Sequence, residues 1–218
     1  MPYELSAATG GVNCYLLKTT GGFFLVDTGF SLSKGKLEKL LARTGCFPGN
    51  LKLVIVTHAD IDHTGNCLFL QEKFKAKIAM HPAEAEAAAA VKMTANRKNK
   101  SPLLMRAVMA LFAGLLTRPF QPDAWLRDGE RLSEFGLDAA IIHTPGHTLG
   151  SVSVLTDDGD LFCGDFLKGT GRAGVNTLAD DAAAMEESYK KIKNLKIKKI
   201  YPGHGRPFTF EELLKNHG

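Results

Sequence analysis

The most informative stretch of this chain is Leu53-Val54-Ile55-Val56-Thr57-His58-Ala59-Asp60-Ile61-Asp62-His63. Its first half is an apolar, β-branched run, which predicts a buried strand. Its second half places two imidazoles and two carboxylates within six residues at the end of that strand. Such a cluster suffers desolvation and like-charge repulsion unless a cation compensates it. The segment therefore predicts a metal site.

Three more candidate ligands occur later in similar settings. Each follows an apolar or aromatic run that breaks at a glycine. They are His147 in Thr144-Pro145-Gly146-His147, Asp165 in Leu161-Phe162-Cys163-Gly164-Asp165, and His204 in Tyr201-Pro202-Gly203-His204. With His58, Asp60, Asp62 and His63 they make seven donors, too many for one tetrahedral ion, so two metal ions fit better.

The ligand pattern resembles that of the metallo-β-lactamase superfamily, whose signature is His-x-His-x-Asp-His followed by a His, an Asp and a His. Three other segments strengthen this resemblance, which covers nearly the whole chain: Asn13-Cys14-Tyr15-Leu16-Leu17, Phe24-Leu25-Val26-Asp27-Thr28-Gly29 and His81-Pro82-Ala83-Glu84. The resemblance implies an α/β fold, the four-layer αββα sandwich. Asp60 departs from the pattern, because the family usually has its second His there.

The resemblance also implies how the seven ligands divide. His58, Asp60 and His147 would hold one ion, Asp62, His63 and His204 would hold the other, and Asp165 would bridge them. The ions would be divalent, with zinc expected first, and Asp60 keeps iron and manganese open because harder ions prefer carboxylate oxygen. Three remaining histidines, His81, His143 and His217, are expected to lie outside the ligand set, and Cys163 is expected to be a core thiol.

A dinuclear centre of this kind predicts hydrolysis by a metal-bridging hydroxide, since coordination lowers the pKa of water from about 15.7 to roughly 7. Asp62 is the candidate catalytic residue, which would orient that nucleophile and take its proton. The catalytic core looks like that of glyoxalase II, but the chain ends fourteen residues after His204, so we expect the helical domain that binds glutathione to be missing. Asp165 stands where many zinc β-lactamases have Cys, which disfavours antibiotic hydrolysis.

The substrate stays open among several classes, because one fold hosts many chemistries. A small thioester, ester or lactone is the first expectation. The alternatives are a phosphodiesterase or nuclease, and a diiron redox or metal-binding protein. The sequence identifies no substrate-binding residue.

Composition predicts one domain over residues 1–218, because 44% hydrophobic content in 218 residues can bury a full core. The four cysteines show no paired spacing and are interpreted as reduced thiols. The N-terminus lacks the pattern of a secretory signal, so we expect a cytoplasmic protein without a transmembrane segment.

Two basic stretches carry much of the net charge of +4. The stretch 190–199 has no aromatic residues between its lysines, which disfavours nucleic acid as a partner. The stretch 92–118 contains an apolar helix, predicted at 102–118, that is too short for a bilayer, which needs about 20 apolar residues. We expect it to belong to a helical lid or insertion at about 84–122, which would cover an apolar part of the substrate or pack in a homodimer. The alternative is an ordinary core helix.

Hydrophobic periodicity and turn residues predict the elements. Strands are expected at 12–18, 23–27, 53–57, 77–80, 138–143, 150–155, 160–163 and 198–201. Helices are expected at 33–43, 65–74, from Pro82, at 181–195 and after Pro207. A hairpin turn is expected at Asp157-Asp158-Gly159.

Overall fold

The computed structural model describes residues 3–9, 11–90 and 118–217, which form two large β-sheets with helices around them. The strands of the first sheet are β1 Glu4–Thr9, β2 Asn13–Thr19, β3 Gly22–Val26, β4 Leu51–Ile55, β5 Lys77–Met80 and β6 Ala124–Trp125. They lie in sequence order across the sheet. β1, β2 and β3 pair antiparallel, whereas β3, β4, β5 and β6 pair parallel.

The strands of the second sheet come from the later part of the chain. They are β7 Ala139–His143, β8 Val152–Thr156, β9 Asp160–Gly164, β12 Lys199–Pro202 and β13 Phe208–Thr209, and a separate two-stranded ribbon consists of β10 Leu167–Lys168 and β11 Gly174–Val175. The order across the sheet is β13-β12-β9-β8-β7, and β9 and β12 are parallel.

The described helices are α1 Lys34–Thr44, α2 Ile61–Thr64, α3 Cys67–Phe69, α4 Ala85–Ala90, α5 Ala182–Lys193 and α6 Phe210–His217. Short 3₁₀ turns occur at Ser31–Ser33, Pro82–Glu84 and Ser133–Phe135, and a π turn occurs at Leu70–Phe74. α1 ends as the sequence predicts, because Gly45 adopts the left-handed conformation with φ 78°. None of the described helices is long and apolar enough to cross a membrane.

In the described part of the chain, three apolar clusters define the layers. One packs α1 and the segment Cys67–Phe74 against the outer face of the first sheet, with Leu37 and Leu70 buried. The second lies between the sheets and joins Phe24 to Phe162. The third packs α5 and α6 against the outer face of the second sheet, around Ile192. Because the strands are buried on both faces, their sequences are nearly continuous apolar runs. The predicted four-layer αββα sandwich is confirmed.

The prediction of one continuous helix at 65–74 is wrong. The chain instead forms two short helices and a π turn between Ile61 and Phe74. The side chain of Asn66 explains the break, because its amide donates to the carbonyl oxygens of Thr28 and Phe30, at 2.6 and 3.0 Å. Long-range hydrogen bonds therefore override the local helical pattern.

Two other differences from the predicted elements concern strands of the first sheet. β1 was not expected from the sequence. β4 ends at Ile55 and not at residue 57, because Thr57 gives its backbone N–H to the carboxylate of Asp27 at 2.8 Å. Residues 102–117 of the predicted helix and most of the expected insertion at 84–122 lie outside the described residues.

Candidate metal centre

The candidate ligands lie in loops and turns that follow strand ends where the two sheets face each other. β4 and β5 are parallel, as are β9 and β12, so their carboxyl ends point to the same edge of each sheet. Open α/β folds place their ligands at such an edge. The positions are His58 and Asp60 after β4, Asp62 and His63 in α2, His147 between β7 and β8, Asp165 after β9 and His204 after β12.

His58, His147 and Asp165 form one group that we name the inner half-site. One ligand atom from each lies within 4.8 Å of the others, and all three side chains are buried. Asp60 lies beside this group, with its Oδ2 at 3.3 Å from Nε2 of His147 and 3.6 Å from Nε2 of His58. The geometry therefore places Asp60 on the inner side of the centre.

Asp62, His63 and His204 form a second group that we name the outer half-site. Their ligand atoms also lie within 4.8 Å of one another. His63 is completely buried, but the side chains of Asp62 and His204 are 18% and 30% exposed. This half-site therefore faces solvent.

Asp165 borders both half-sites. Its Oδ1 lies 3.3 Å from Nε2 of His63, and its Oδ2 lies 3.4 Å from Nε2 of His204 and 3.7 Å from Nε2 of His147. Gly203 allows this approach, because a Cβ there would lie 2.6 Å from both Oδ1 of Asp165 and Cε1 of His63. A carboxylate in this position can reach ions in either half-site.

Three buried polar atoms at the centre fit a bound cation. Within the described part of the chain, Nε2 of His58, Nε2 of His63 and Oδ1 of Asp165 make no well-oriented hydrogen bond, although the last two atoms lie 3.3 Å apart. Buried polar atoms without partners are rare in folded proteins. Imidazole nitrogen and carboxylate oxygen are donors for zinc, iron and other divalent metals, so the residues present fit a metal centre.

Electrostatics leads to the same conclusion. Burial raises the pKa of the Asp165 carboxyl, but His63 and His204 outweigh burial and hold that pKa well below its usual range. Hydrogen bonds to Asp165 and Asp62 raise the pKa of His204 to about 10. Burial lowers the pKa of His63, yet Asp27 and Asp165 raise it well above its ordinary value. The carboxylates thus favour positive charge in the centre. Either protons on the histidines or metal ions can supply that charge, and the two compete for the same nitrogen atoms.

Each histidine is oriented by the nitrogen that faces away from the centre. Nδ1 of His147 donates to the carbonyl oxygen of Leu178 at 2.7 Å, and Nδ1 of His204 donates to that of Gly11 at 2.8 Å. Nδ1 of His58 lies 3.0 Å from the hydroxyl oxygen of Thr57. These contacts leave Nε2 directed into the centre, the arrangement typical of histidines that bind metals.

Asp27 supports His63, and the sequence reasoning assigned it no role. Its carboxylate accepts the Nδ1–H of His63 at 2.8 Å and also the hydroxyl and backbone N–H of Thr57. Asp27 has φ 59°, an unfavourable conformation for a non-glycine residue. The signal in the sequence was its place directly after a strand, in one of the segments that carry the family resemblance, Phe24-Leu25-Val26-Asp27-Thr28-Gly29.

Asn13 and Glu84 are two further supporting residues without an expected role. The side-chain amide of Asn13 donates to the carbonyl oxygens of Pro202 and Gly205, at 3.0 and 2.8 Å, and so holds the turn that carries His204. Glu84 is buried and accepts two backbone N–H groups.

The histidines expected to lie outside the ligand set belong to neither half-site. His81 and His143 stack on each other with ring centroids 4.4 Å apart, and His217 packs edge-on against Tyr189. Cys163 lies in the apolar cluster under α5 and α6, where burial raises the pKa of its thiol. All four cysteines are buried and free.

The family model of the Metallo-beta-lactamase superfamily matches residues 7–204. This match spans most of the sequence, so the chain belongs to the metallo-β-lactamase superfamily, whose members are mostly metallo-hydrolases. Superfamily members bind divalent metals, often two.

Two relatives and one solved structure are similar to this chain over most of its length. The chain is 30% identical to the probable metallo-hydrolase MJ0888 of Methanocaldococcus jannaschii over 187 residues, which are 83% of this chain and 82% of that protein. It is 28% identical to a hydroxyacylglutathione hydrolase of Shewanella loihica over 86% of this chain, which spans 58% of that enzyme. Among solved structures, TTHA1623 in a di-iron-bound form has a TM-score of 0.73 and 25% identity, with 96% of each chain covered.

Proposed function

We propose that the protein is a dinuclear-metal-dependent hydrolase of a small thioester, ester or lactone. The observation that carries this proposal is the position of Asp165, which belongs to the inner half-site and also lies 3.3 Å from His63 and 3.4 Å from His204 of the outer half-site. One carboxylate that borders both groups is suited to bridge two ions.

The assigned roles follow this geometry. His58, Asp60 and His147 would hold one ion, Asp62, His63 and His204 would hold the other, and Asp165 would bridge them. Two divalent ions in such a centre lower the pKa of water from about 15.7 to roughly 7 and polarise the oxygen of the group under attack. The remaining contributions come from the orientation of these ligands by Asp27, Leu178 and Gly11.

Asp62 is the proposed general base. Its side chain lies at the exposed side of the centre, and its Oδ2 is 3.3 Å from Nε2 of His204. Burial raises the pKa of Asp62, but His63 and His204 outweigh burial and lower it below its ordinary value. The ionised carboxylate can orient an attacking water and accept its proton, while its second oxygen remains directed at the outer half-site.

The comparisons support the substrate class and leave two metals to test. A hydroxyacylglutathione hydrolase, by its name a thioesterase, matches most of the chain and favours a thioester. Zinc is the proposed metal on intrinsic affinity. The di-iron form of TTHA1623 makes iron the competing metal, and with it the alternative of a redox or metal-binding role.

A phosphodiesterase or nuclease is the less favoured alternative. Lys190 and Lys191 in the second basic stretch form ion pairs with Glu187 and Asp128, at 2.8 and 2.6 Å, so these lysines are already partnered. The first basic stretch lies almost wholly outside the described residues.

Metal analysis and a substrate panel test the proposal. Metal-replete protein is expected to contain close to two transition-metal ions per chain and to hydrolyse a thioester or lactone faster than a phosphodiester. One ion per chain would contradict the dinuclear centre. Exclusive turnover of the phosphodiester would favour the nuclease, whereas iron with redox activity and no hydrolysis would favour the redox role.

Asp62→Asn tests the general base separately. The amide keeps one oxygen for the metal but accepts a proton poorly, so kcat is expected to fall by at least about 100-fold, the usual contribution of a positioned base. Asp138→Asn, an exposed carboxylate outside both half-sites, is the matched control and is expected to keep full activity. Turnover near that of the wild type in Asp62→Asn would remove Asp62 from the mechanism.

A further inference from the structure

Glu84 is a buried carboxylate that is not one of the seven candidate ligands, yet it holds two of their loops. Its Oε2 accepts the backbone N–H of Ala59 at 2.8 Å, and its Oε1 accepts the backbone N–H of Gly150 at 2.8 Å. Only 4% of the residue is exposed. Both oxygens are therefore used by backbone donors in the interior.

The two donors belong to loops from different sheets. Ala59 lies between His58 and Asp60 after β4 of the first sheet, and Gly150 lies three residues after His147 in the loop that precedes β8 of the second sheet. One carboxylate thus ties together the loops that provide both histidines of the inner half-site. The loop at Gly150 can approach because it has no side chain there, since a Cβ would lie 2.7 Å from both Cγ and Oε1 of Glu84.

A second contact joins the same segments a few residues away. The rings of His81 and His143 stack at 4.4 Å with an interplanar angle of 3°. Nδ1 of His81 accepts the N–H of Ala83 and caps the turn that carries Glu84, and Nε2 of His143 lies 3.0 Å from the carbonyl oxygen of Leu149. The segments 81–84 and 143–150 are therefore fastened at two points.

The outer half-site has different supports. His63 is held by Asp27, and His204 is held by the carbonyl oxygen of Gly11. Among the hydrogen bonds of the described residues, Glu84 makes none to these groups. Both direct contacts of Glu84 are with loops that carry histidines of the inner half-site, so we expect a change at Glu84 to act on that half-site.

We propose that Glu84 is a positioning residue that sets the separation of His58 and His147 and so prepares the inner half-site for its cation. The inference rests on the metal centre of the proposed function but not on its substrate. A carboxylate suits this role because it accepts two N–H donors at once. A glutamine would accept one and would turn its own NH₂ group against the other donor.

The test measures Zn²⁺ affinity of each half-site separately, by competition with a chromophoric chelator. The inner half-site is isolated in the background His204→Ala, and the outer half-site in the background His147→Ala. Glu84→Gln is expected to weaken Zn²⁺ binding about 10- to 100-fold in the first background, the usual effect of losing a group that orients ligands. It is expected to leave the second background unchanged. Glu72→Gln, an exposed glutamate, is the matched control in both.

Gly150→Ala provides an independent variant that keeps the charge of Glu84. Its methyl group pushes the same loop away from the carboxylate, so the same selective loss is expected, and this variant carries the test if Glu84→Gln does not fold. Equal weakening of both half-sites, or a lower melting temperature with unchanged Zn²⁺ affinity, would overturn the inference. Wild-type protein that binds two ions but hydrolyses no thioester, ester or lactone would refute the proposed substrate class and leave the role of Glu84 standing.

Discussion

The inner and outer half-sites offer similar donors but are built differently. The inner half-site combines histidines from both sheets in a fully buried setting, and backbone contacts to Glu84 hold its loops. The outer half-site takes Asp62 and His63 from one short helix, adds the 30% exposed His204, and depends on a buried carboxylate at Asp27. The inner half-site is therefore supported through the backbone of its loops, whereas the outer half-site is supported by a carboxylate that contacts the ligand His63 directly.

Asp165→Ala is expected to have the largest effect on this comparison, because that carboxylate borders both half-sites. The variant should lose both ions together, from close to two per chain to near none, as measured by elemental analysis after dialysis. If it kept one ion, the two half-sites would be independent and Asp165 would belong to only one of them.

Asp27→Asn is expected to weaken the outer half-site most, because Asp27 contacts His63 directly and reaches His58 of the inner half-site only through the hydroxyl of Thr57. The amide can still accept from His63, but it removes the negative charge that faces this imidazole. Zn²⁺ affinity measured in the His147→Ala background should fall about 10- to 100-fold, with a smaller change in the His204→Ala background. Asp27→Asn and Glu84→Gln are thus expected to lower Zn²⁺ affinity mainly in opposite backgrounds. Equal losses of affinity in both backgrounds would contradict the distinction between the half-sites.

Asp60→His should change the metal preference of the inner half-site by several-fold. Replacing a carboxylate with an imidazole removes one negative charge and a hard oxygen donor, which harder ions such as Mn²⁺ prefer. Competition between Zn²⁺ and Mn²⁺ in the His204→Ala background should shift toward zinc. An unchanged ratio would show that Asp60 does not coordinate.

His81→Asn is expected to have the smallest effect, visible only as a pH dependence of stability. Burial and the neighbouring His143 lower the pKa of His81, while Glu84 opposes them; Asp128 and Lys191 flank His143 on the other side. The folded state thus releases this proton more readily than the unfolded chain, whose pKa is about 6.5. Stability from neutral His81 is complete above that value and is lost as pH falls through the lower folded pKa.

Urea unfolding of the metal-free protein at pH 7 and pH 5 measures this effect. Asn can still cap the turn at Pro82–Glu84 but does not titrate in this range. Between the two pH values the wild type should lose more stability than His81→Asn. Equal losses would mean that folding does not lower the pKa of His81.

Many elements could be predicted from local patterns. α1, β5 and the turn at Asp157-Asp158-Gly159 lie within a residue or so of their expected positions, because each depends on neighbours in sequence. The segment 65–74 could not be predicted, because Asn66 bonds to Thr28 and Phe30, far away in the chain.

The candidate donors and the strands that precede them could be identified in the sequence, and the family resemblance implied the fold. The supports of the donors became visible only in three dimensions. Asp27 lies 36 residues from His63, and Glu84 lies 25 residues from Ala59 and 66 from Gly150. Contacts over such separations leave no periodic trace in the sequence, because they depend on how two sheets face each other and not on the preferences of neighbouring residues.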